Sequence, residues 1–108
     1  MNHIPKPLND ELNNDQFYTR CCLRVDGLCE GKVERHHNLI FGAKQVQRKF
    51  SILPACKDYH HKYANRKDIK EKFDWVMWNR ATDEEIAMFS KATDYQHYKK
   101  FLNNKYNV

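Results

Sequence analysis

The stretch that decides the fold lies between residues 34 and 61 and contains two short sequences, ERHHNLI (34–40) and SILPACKDYHH (51–61). Each carries an adjacent pair of histidines, in a chain that has only six histidines. Imidazole is a common metal ligand, and its unperturbed pKa of about 6.5 suits proton transfer near neutral pH. Neighbouring side chains of a strand point to opposite faces, so the first pair can share one site only at a strand end or a twist.

The residues around the two pairs predict a hairpin followed by a helix. Apolar and β-branched residues favour strands over 33–40 and 51–55, joined by a basic, glycine-containing loop over 41–49. Asp58 is a candidate N-cap, so we expect a helix that starts there and carries the second histidine pair on its first turns.

These two sequences resemble the motif of the HNH nucleases, a superfamily built on a ββα-metal finger. The resemblance covers about residues 20–65, and its cysteine-bearing arrangement is similar to that of small phage and prophage nucleases associated with recombination. It implies an α+β fold in which a hairpin and a helix form the finger, with a zinc-knuckle loop over 18–33. The implied activity is endonucleolytic hydrolysis of phosphodiester bonds, with DNA as the expected partner.

The resemblance also implies roles for individual residues. In the family the first histidine of the leading pair binds a divalent cation and the second is the general base. We therefore expect His36 to bind Mg²⁺ or Mn²⁺ and His37 to act as the catalytic base. The family's second ligand for this cation follows the zinc-binding cysteines, which implies His61. The chain departs from the family at Ser51, where the family has its middle asparagine.

The cysteines predict a structural zinc site. Three residues separate Cys56 from His60, where the family has Cys-x-x-Cys-His. We expect His60 to replace the second cysteine, and together with Cys22 and Cys29 this gives a Cys₃His tetrahedron of a kind that zinc accepts. Cys21 is an alternative to Cys22. The rival interpretations place His60 on the catalytic cation, or treat the cysteines as buried thiols without a metal.

Positive charge is concentrated around the same stretch. The net charge is +5, and residues 44–72 alone contain nine Lys or Arg against three acids. Such a segment suits a phosphate backbone, which it positions without reading the sequence. The residues expected to contact it are Lys44, Arg48 and Lys49 in the loop, and Lys62, Arg66 and Lys67 on the helix. For the last three, solvated charge is an equal explanation.

Length and composition predict one small domain, residues 1–108. A chain of 108 residues with 41% hydrophobic content supports a single core of modest size. No apolar run approaches the ~20 residues of a membrane span, and the N-terminus lacks the order of a secretory signal. We therefore expect a cytoplasmic protein without a membrane partner. In that reducing compartment, clustered cysteines are more often metal ligands or buried thiols than disulfides.

The parts of this domain are expected to be an N-terminal arm over 1–16, the finger over 18–66 and a helical extension over 67–108. The arm should be extended, with a short helical turn near Asp10 to Phe17. Capping-box patterns at Thr82 and Thr93 predict helix starts in the extension. Trp75 and Trp78 have the spacing of core residues, and we expect them to pack inside rather than to stack on bases.

Two other functions compete with the nuclease. A non-catalytic zinc module that binds nucleic acid or protein would keep the finger without turnover, and Ser51 and the altered cysteine spacing favour it. The presence of both His36 and His37 favours the enzyme, because binding alone needs no general base. An inhibitor or adaptor acting through the aromatic C-terminal helices is a third possibility.

Overall fold

The computed structural model describes residues 4–25, 29 and 31–106, which form an α+β fold, as the sequence predicts. Its helices and strands are α1 (Lys6–Asn13), β1 (Val33–His37), β2 (Ile40–Phe41), β3 (Lys44–Gln45), β4 (Ile52–Cys56), α2 (Lys67–Arg80), α3 (Asp83–Ala87) and α4 (Ala92–Tyr106). The described residues also form two short 3₁₀ helices, Gln16–Thr19 and Lys49–Ser51, and one π turn, Lys57–His61. Residues 1–3 of the predicted arm, and residues 26–28 and 30 of the predicted knuckle loop, lie outside the described residues.

The central element is the predicted hairpin. Strands β1 and β4 pair antiparallel over their whole length. The segment 41–49, predicted as a plain loop, instead takes part in a second, smaller hairpin, because β2 pairs with β3. Gly42 and Ala43 form its turn with φ of 62° and 64°, the left-handed backbone that a tight two-residue turn requires. The basic loop is therefore a folded ribbon.

Helices of the C-terminal part pack on the hairpin. Ile69, Phe73 and Met77 recur every four residues along α2, so they form one buried face of that helix. This face shares a core with the buried β4 residues Leu53 and Ala55. Burial of such side chains is the main force that holds helix and sheet together. No helix in the described part of the chain is both long and apolar enough to cross a membrane.

The two tryptophans have different surroundings, both within the fold. Trp78 is 2% exposed and lies in the main core, as predicted. Trp75 is half-buried, and its Nε1 donates a hydrogen bond to Oδ1 of Asn103 at 3.1 Å.

One of the two predicted capping boxes is present. Oγ1 of Thr82 accepts from the backbone N–H of Glu85, and the Glu85 carboxylate accepts from the N–H of Thr82. The start predicted at Thr93 is wrong, because α4 begins at Ala92 and Thr93 lies inside its first turn.

The helix predicted to begin at Asp58 is absent, and a single π turn takes its place. Cys56 is the N-cap of this turn, and its Sγ accepts the backbone N–H of His60 at 3.2 Å. The sulfur thus takes a donor that a regular helix would pair with a carbonyl. The long helix α2 begins only at Lys67, so the second histidine pair lies on a separate short turn.

The N-terminal segment is a packed helix instead of the predicted extended arm. Leu12 of α1 is fully buried in a small cluster with Tyr18 and Ile52. The Tyr18 hydroxyl lies 2.7 Å from the carbonyl of Lys49 and 2.8 Å from that of Ile52. These contacts order the segment, because the apolar surface it buries on β4 offsets the entropy it loses.

Candidate functional site

Four side chains that can bind a metal ion meet in the interior. The Sγ atoms of Cys21, Cys29 and Cys56 lie 3.3, 3.2 and 3.2 Å from Nδ1 of His60. All four ligand atoms lie within 4.8 Å of one another, and all four residues are buried. The segment before β1, the end of β4 and the π turn each contribute to this Cys₃His cluster.

The Cys₃His cluster fits a tetrahedral zinc ion. Zn–S bonds of about 2.3 Å and a Zn–N bond of about 2.0 Å give S···N edges of about 3.5 Å, close to the separations in the cluster. The backbone N–H groups of Val25 and His60 each donate to a cluster sulfur at 3.2 Å. Such bonds orient and tune thiolate ligands. The cluster can therefore hold a metal ion such as zinc, and none of its cysteines is in a disulfide.

Cys21, rather than the preferred Cys22, belongs to the cluster. Cys22 is absent from the group of four and packs against the main hydrophobic core. Cys22 lies in a turn that the backbone N–H of Arg24 closes onto the carbonyl of Cys21 at 3.1 Å, and the two adjacent cysteines have different surroundings in this turn. The segment is held on β4 because the backbone N–H of Cys22 donates to the carbonyl of Pro54 at 2.9 Å.

Burial determines the charge of these ligands. It raises the pKa of the Cys21 thiol to about 12 and also raises the pKa of Cys29. It lowers the pKa of His60. These three groups are therefore uncharged at neutral pH when no cation is bound. Zinc takes thiolates as ligands, so its binding displaces thiol protons and supplies the charge that balances them.

The other three members of the two histidine pairs line one open cleft, here called the histidine cleft. Its volume is about 410 Å³, and its walls are Ile4, Arg35, His36, His37, Gln45 and His61. The rings of His36 and His61 stand edge to face with centroids 5.4 Å apart. The second pair is thus divided, with His60 among the cysteines and His61 beside His36. The rival assignment of His60 to the cleft does not match this geometry.

The rings of His36 and His61 are close enough that a divalent cation between them would contact both. Two imidazoles that share an ion have ring centroids within about 6 Å, given metal–nitrogen bonds of about 2.1 Å, and His36 and His61 meet this condition. Mg²⁺ prefers oxygen ligands and would keep several waters in such a site, whereas imidazole is a better ligand for softer divalent ions. The cleft is open, so water can reach these rings.

Each imidazole of the histidine cleft has an oxygen acceptor that determines its tautomer. The bonds run from Nδ1 of His61 to Oε1 of Glu34 (2.8 Å), from Nε2 of His37 to Oε1 of Gln47 (3.1 Å), and from Nε2 of His36 to Oδ1 of Asn38 (3.0 Å). Because these oxygens only accept, the bonded ring nitrogen carries a proton, and in a neutral ring the other nitrogen has the lone pair. That second nitrogen can bind a cation or accept a proton.

Burial and hydrogen bonding determine the charge of His36 and of Glu34. Burial lowers the pKa of His36 to about 4, so this ring is neutral at physiological pH. The hydrogen bond from His61 lowers the pKa of Glu34, which is therefore ionised. A neutral imidazole that donates its other proton to a carboxylate is a common arrangement at metal sites.

These acceptors are not among the residues predicted from the sequence. Glu34 could have been found, because it precedes His36 by two residues on β1 and therefore lies on the same face. Gln47 reaches His37 only through the fold of the β2–β3 ribbon, which local patterns do not reveal. Arg35 was also overlooked, although it lines the histidine cleft.

The predicted phosphate-contacting residues differ in their surroundings. Lys44 and Arg48 are exposed on the ribbon and its exit. Lys49 forms an ion pair with Asp15 at 3.0 Å, so part of its charge is neutralised. Beyond the π turn, Lys62 and Arg66 lie over the ring of Tyr63, and Lys67 opens α2.

Ser51, at which the sequence departs from the motif that it resembles, braces the ribbon. Its buried Oγ lies 2.8 Å from the carbonyl of Val46 and 3.0 Å from that of Arg48, and accepts from the N–H of Arg48 at 3.3 Å. Its carbonyl accepts from the N–H of Asn38 at 2.9 Å. The hydroxyl thus braces the ribbon, and the backbone carbonyl joins Ser51 to the strand end that carries the first histidine pair.

Comparisons with protein-family models, with curated proteins and with solved structures find no match. The geometry of the histidine cleft and the Cys₃His cluster is therefore the basis on which a function can be inferred.

Proposed function

We propose that this protein is a metal-dependent endonuclease of the HNH type that hydrolyses phosphodiester bonds in DNA. The observation that carries the proposal is the convergence of His36, His37 and His61 on one open cleft. In this proposal β1, β4 and the π turn form a ββα-metal finger whose helical part is reduced to a single turn.

His37 is the proposed general base. Its Nε2 donates to Gln47, so its Nδ1 lone pair is the one that takes a proton from the attacking water. The adjacent His36 and the facing His61 are the proposed ligands of Mg²⁺ or Mn²⁺. When bound, this cation would stabilise charge on the scissile phosphate and on the departing oxygen. Glu34 accepts from Nδ1 of His61 and so orients its ring, which would leave Nε2 to bind the cation.

The Cys₃His cluster has a structural role in this proposal. His60 and His61 are consecutive residues of one short turn, and His60 is the cluster's only nitrogen ligand. Zinc bound to His60 would therefore fix the backbone that positions His61. This arrangement supplies the rigidity that a long helix provides elsewhere in the family.

DNA would be held by its phosphates. Arg35 in the cleft wall and the exposed Lys44 and Arg48 supply positive charge beside the histidines. Contacts of this kind position a backbone without reading its sequence. Lys62, Arg66 and the partly paired Lys49 extend the same basic surface.

A cleavage assay tests the proposal. Supercoiled and linear DNA are incubated with the zinc-loaded protein and Mg²⁺, Mn²⁺ or EDTA. We expect cleavage with either cation and none with EDTA, and a rate about 10²–10⁴-fold lower for His37→Ala. His97→Ala is the matched control, because His97 is exposed on α4 and should leave the rate unchanged. Cleavage that His37→Ala does not slow would refute the assigned base.

A non-catalytic zinc module that binds nucleic acid or protein is the second candidate. The reduction of the finger helix to one π turn favours it, because a binding module tolerates such a change more easily than an active site does. Two results together would favour this module over the nuclease: DNA affinity that falls as the salt concentration rises, and DNA that stays uncleaved in every metal condition.

A further inference from the structure

A chain of buried hydrogen bonds leads from His36 into helix α2. Nε2 of His36 and Oδ1 of Asn38 form a hydrogen bond of 3.0 Å, and Nδ2 of Asn38 donates to Oδ1 of Asp74 at 2.9 Å. Asp74 also accepts from Tyr98 at Oδ2, at 2.9 Å, and pairs with Lys70. Asn38 and Asp74 are only 5% and 6% exposed, so water does not compete strongly for these bonds.

The donor-to-acceptor direction of these hydrogen bonds follows from the chemistry of Asp74, the last residue in the series. A carboxylate paired with a lysine can only accept hydrogen bonds, so Asn38 must turn its amide NH₂ toward Asp74. The side-chain carbonyl oxygen of Asn38, Oδ1, then faces the imidazole of His36. Because that oxygen also only accepts, the imidazole must donate, and its proton is held on Nε2.

We propose that Asp74, acting through Asn38, is a positioning residue that holds His36 in the Nε2–H tautomer and leaves Nδ1 to bind the divalent cation. Binding of the cation rests on the proposed function, whereas the tautomer does not. Asp74 touches neither the cation nor the substrate in this scheme. It supplies a fixed acceptor from α2, 36 residues away in sequence from Asn38.

The surroundings of the chain support a rigid, directional arrangement. The Lys70 ammonium balances the negative charge of the buried Asp74 carboxylate. It also lies 3.4 Å from the backbone carbonyl oxygen of Asn38. The ring of His36 packs against that of Phe73 with centroids 4.8 Å apart, which restricts rotation of the imidazole. Outer partners of metal-binding histidines change metal affinity by about 10–100-fold when they are removed.

A purely structural role for the same bonds predicts different results. In that case Asp74 and Asn38 only attach α2 to the strand end, and breaking their bond changes neither the tautomer of His36 nor its affinity for a divalent cation. The test must therefore report on the ring itself.

The first measurement uses the native, zinc-loaded protein without other metal, at pH 8. Long-range ¹H–¹⁵N NMR correlations distinguish a protonated Nε2 from a protonated Nδ1 in the neutral ring. We expect His36 to show the Nε2–H form. A protonated Nδ1, or an even mixture of the two tautomers, overturns the proposal without any variant being made.

The second measurement compares Asn38→Leu with Tyr98→Phe. Asn38→Leu interrupts the chain and leaves Asp74 with Lys70 and Tyr98, whereas Tyr98→Phe removes one bond to Asp74 and leaves the chain intact. For Asn38→Leu we expect a mixed tautomer at His36 and Mn²⁺ binding about 10–100-fold weaker in calorimetry. Tyr98→Phe should retain the tautomer and the Mn²⁺ affinity.

Equal behaviour of the two variants in both readouts overturns the proposal. The outcome of this test is also independent of whether the proposed nuclease function is correct. If native His36 has the Nε2–H tautomer and Asn38→Leu loses it, the positioning role stands even when no DNA is cleaved. In that case the nuclease alone is refuted.

Discussion

Glu34 and His61 are joined by a hydrogen bond of 2.8 Å between Oε1 and Nδ1, although they are 27 residues apart in sequence. The bond connects strand β1 to the π turn that follows β4. It also couples the two histidine pairs, because Glu34 lies on the same strand as His36.

Replacement of Glu34 should weaken the cation site. Glu34→Gln keeps an oxygen acceptor but removes the negative charge behind His61, so we expect Mn²⁺ affinity to fall by about tenfold, the lower end of the effect of such partners. Calorimetry on zinc-loaded protein measures it. Glu11→Gln, at an exposed position of α1, is the matched control. An unchanged Mn²⁺ affinity in Glu34→Gln would argue against His61 as a ligand.

The two adjacent cysteines should respond differently to the same substitution. Cys21→Ser removes a ligand of the Cys₃His cluster, so we expect the purified protein to lose most of its zinc and to melt at a lower temperature. Cys22→Ser should retain one zinc per chain, because Cys22 packs against the hydrophobic core. Elemental analysis and thermal melting give the two readouts. The reverse pattern would restore Cys22 as the ligand.

Salt dependence should reveal the phosphate contacts. If Lys44 and Arg48 each neutralise a phosphate, the double variant Lys44→Ala/Arg48→Ala should bind DNA with a shallower slope of log K against log salt, by about 0.9 for each phosphate that is no longer neutralised. Binding is measured without Mg²⁺ or Mn²⁺ to prevent cleavage. Lys91→Ala/Lys100→Ala removes two exposed lysines elsewhere and should leave the slope unaltered. Identical slopes for the two double variants would exclude the ribbon as a DNA-binding surface.

Loss of the Ser51 hydroxyl should destabilise the fold. Ser51→Ala leaves the carbonyl of Val46 and the N–H of Arg48 without a buried partner, and such losses cost about 1–3 kcal/mol. Chemical denaturation of the zinc-loaded protein measures the change in unfolding free energy. Ser90→Ala, at an exposed position, is the control and should be near neutral. A neutral Ser51→Ala would mean that water replaces the hydroxyl in the ribbon.

Much of the fold was predictable because its signals are local. The strand patterns on both sides of the basic loop predict the β1–β4 hairpin, and the box between Thr82 and Glu85 predicts the start of α3. The concentration of histidine and cysteine in one stretch likewise indicated a metal site. The ordered N-terminal helix was not predictable, since its stability comes from contacts with β4.

By itself, the sequence determined the α+β character, the central hairpin and the supply of imidazole and thiol groups, since these depend on residue types and short spacings. The tertiary structure alone decided which of two adjacent cysteines faces the cluster, because that depends on how the segment lies against β4. It also decided that His60 and His61 lie in different sites, and that Asp74 is connected to His36 by hydrogen bonds through Asn38. Contacts between residues far apart in the chain settle such choices, and no periodicity within one segment encodes them.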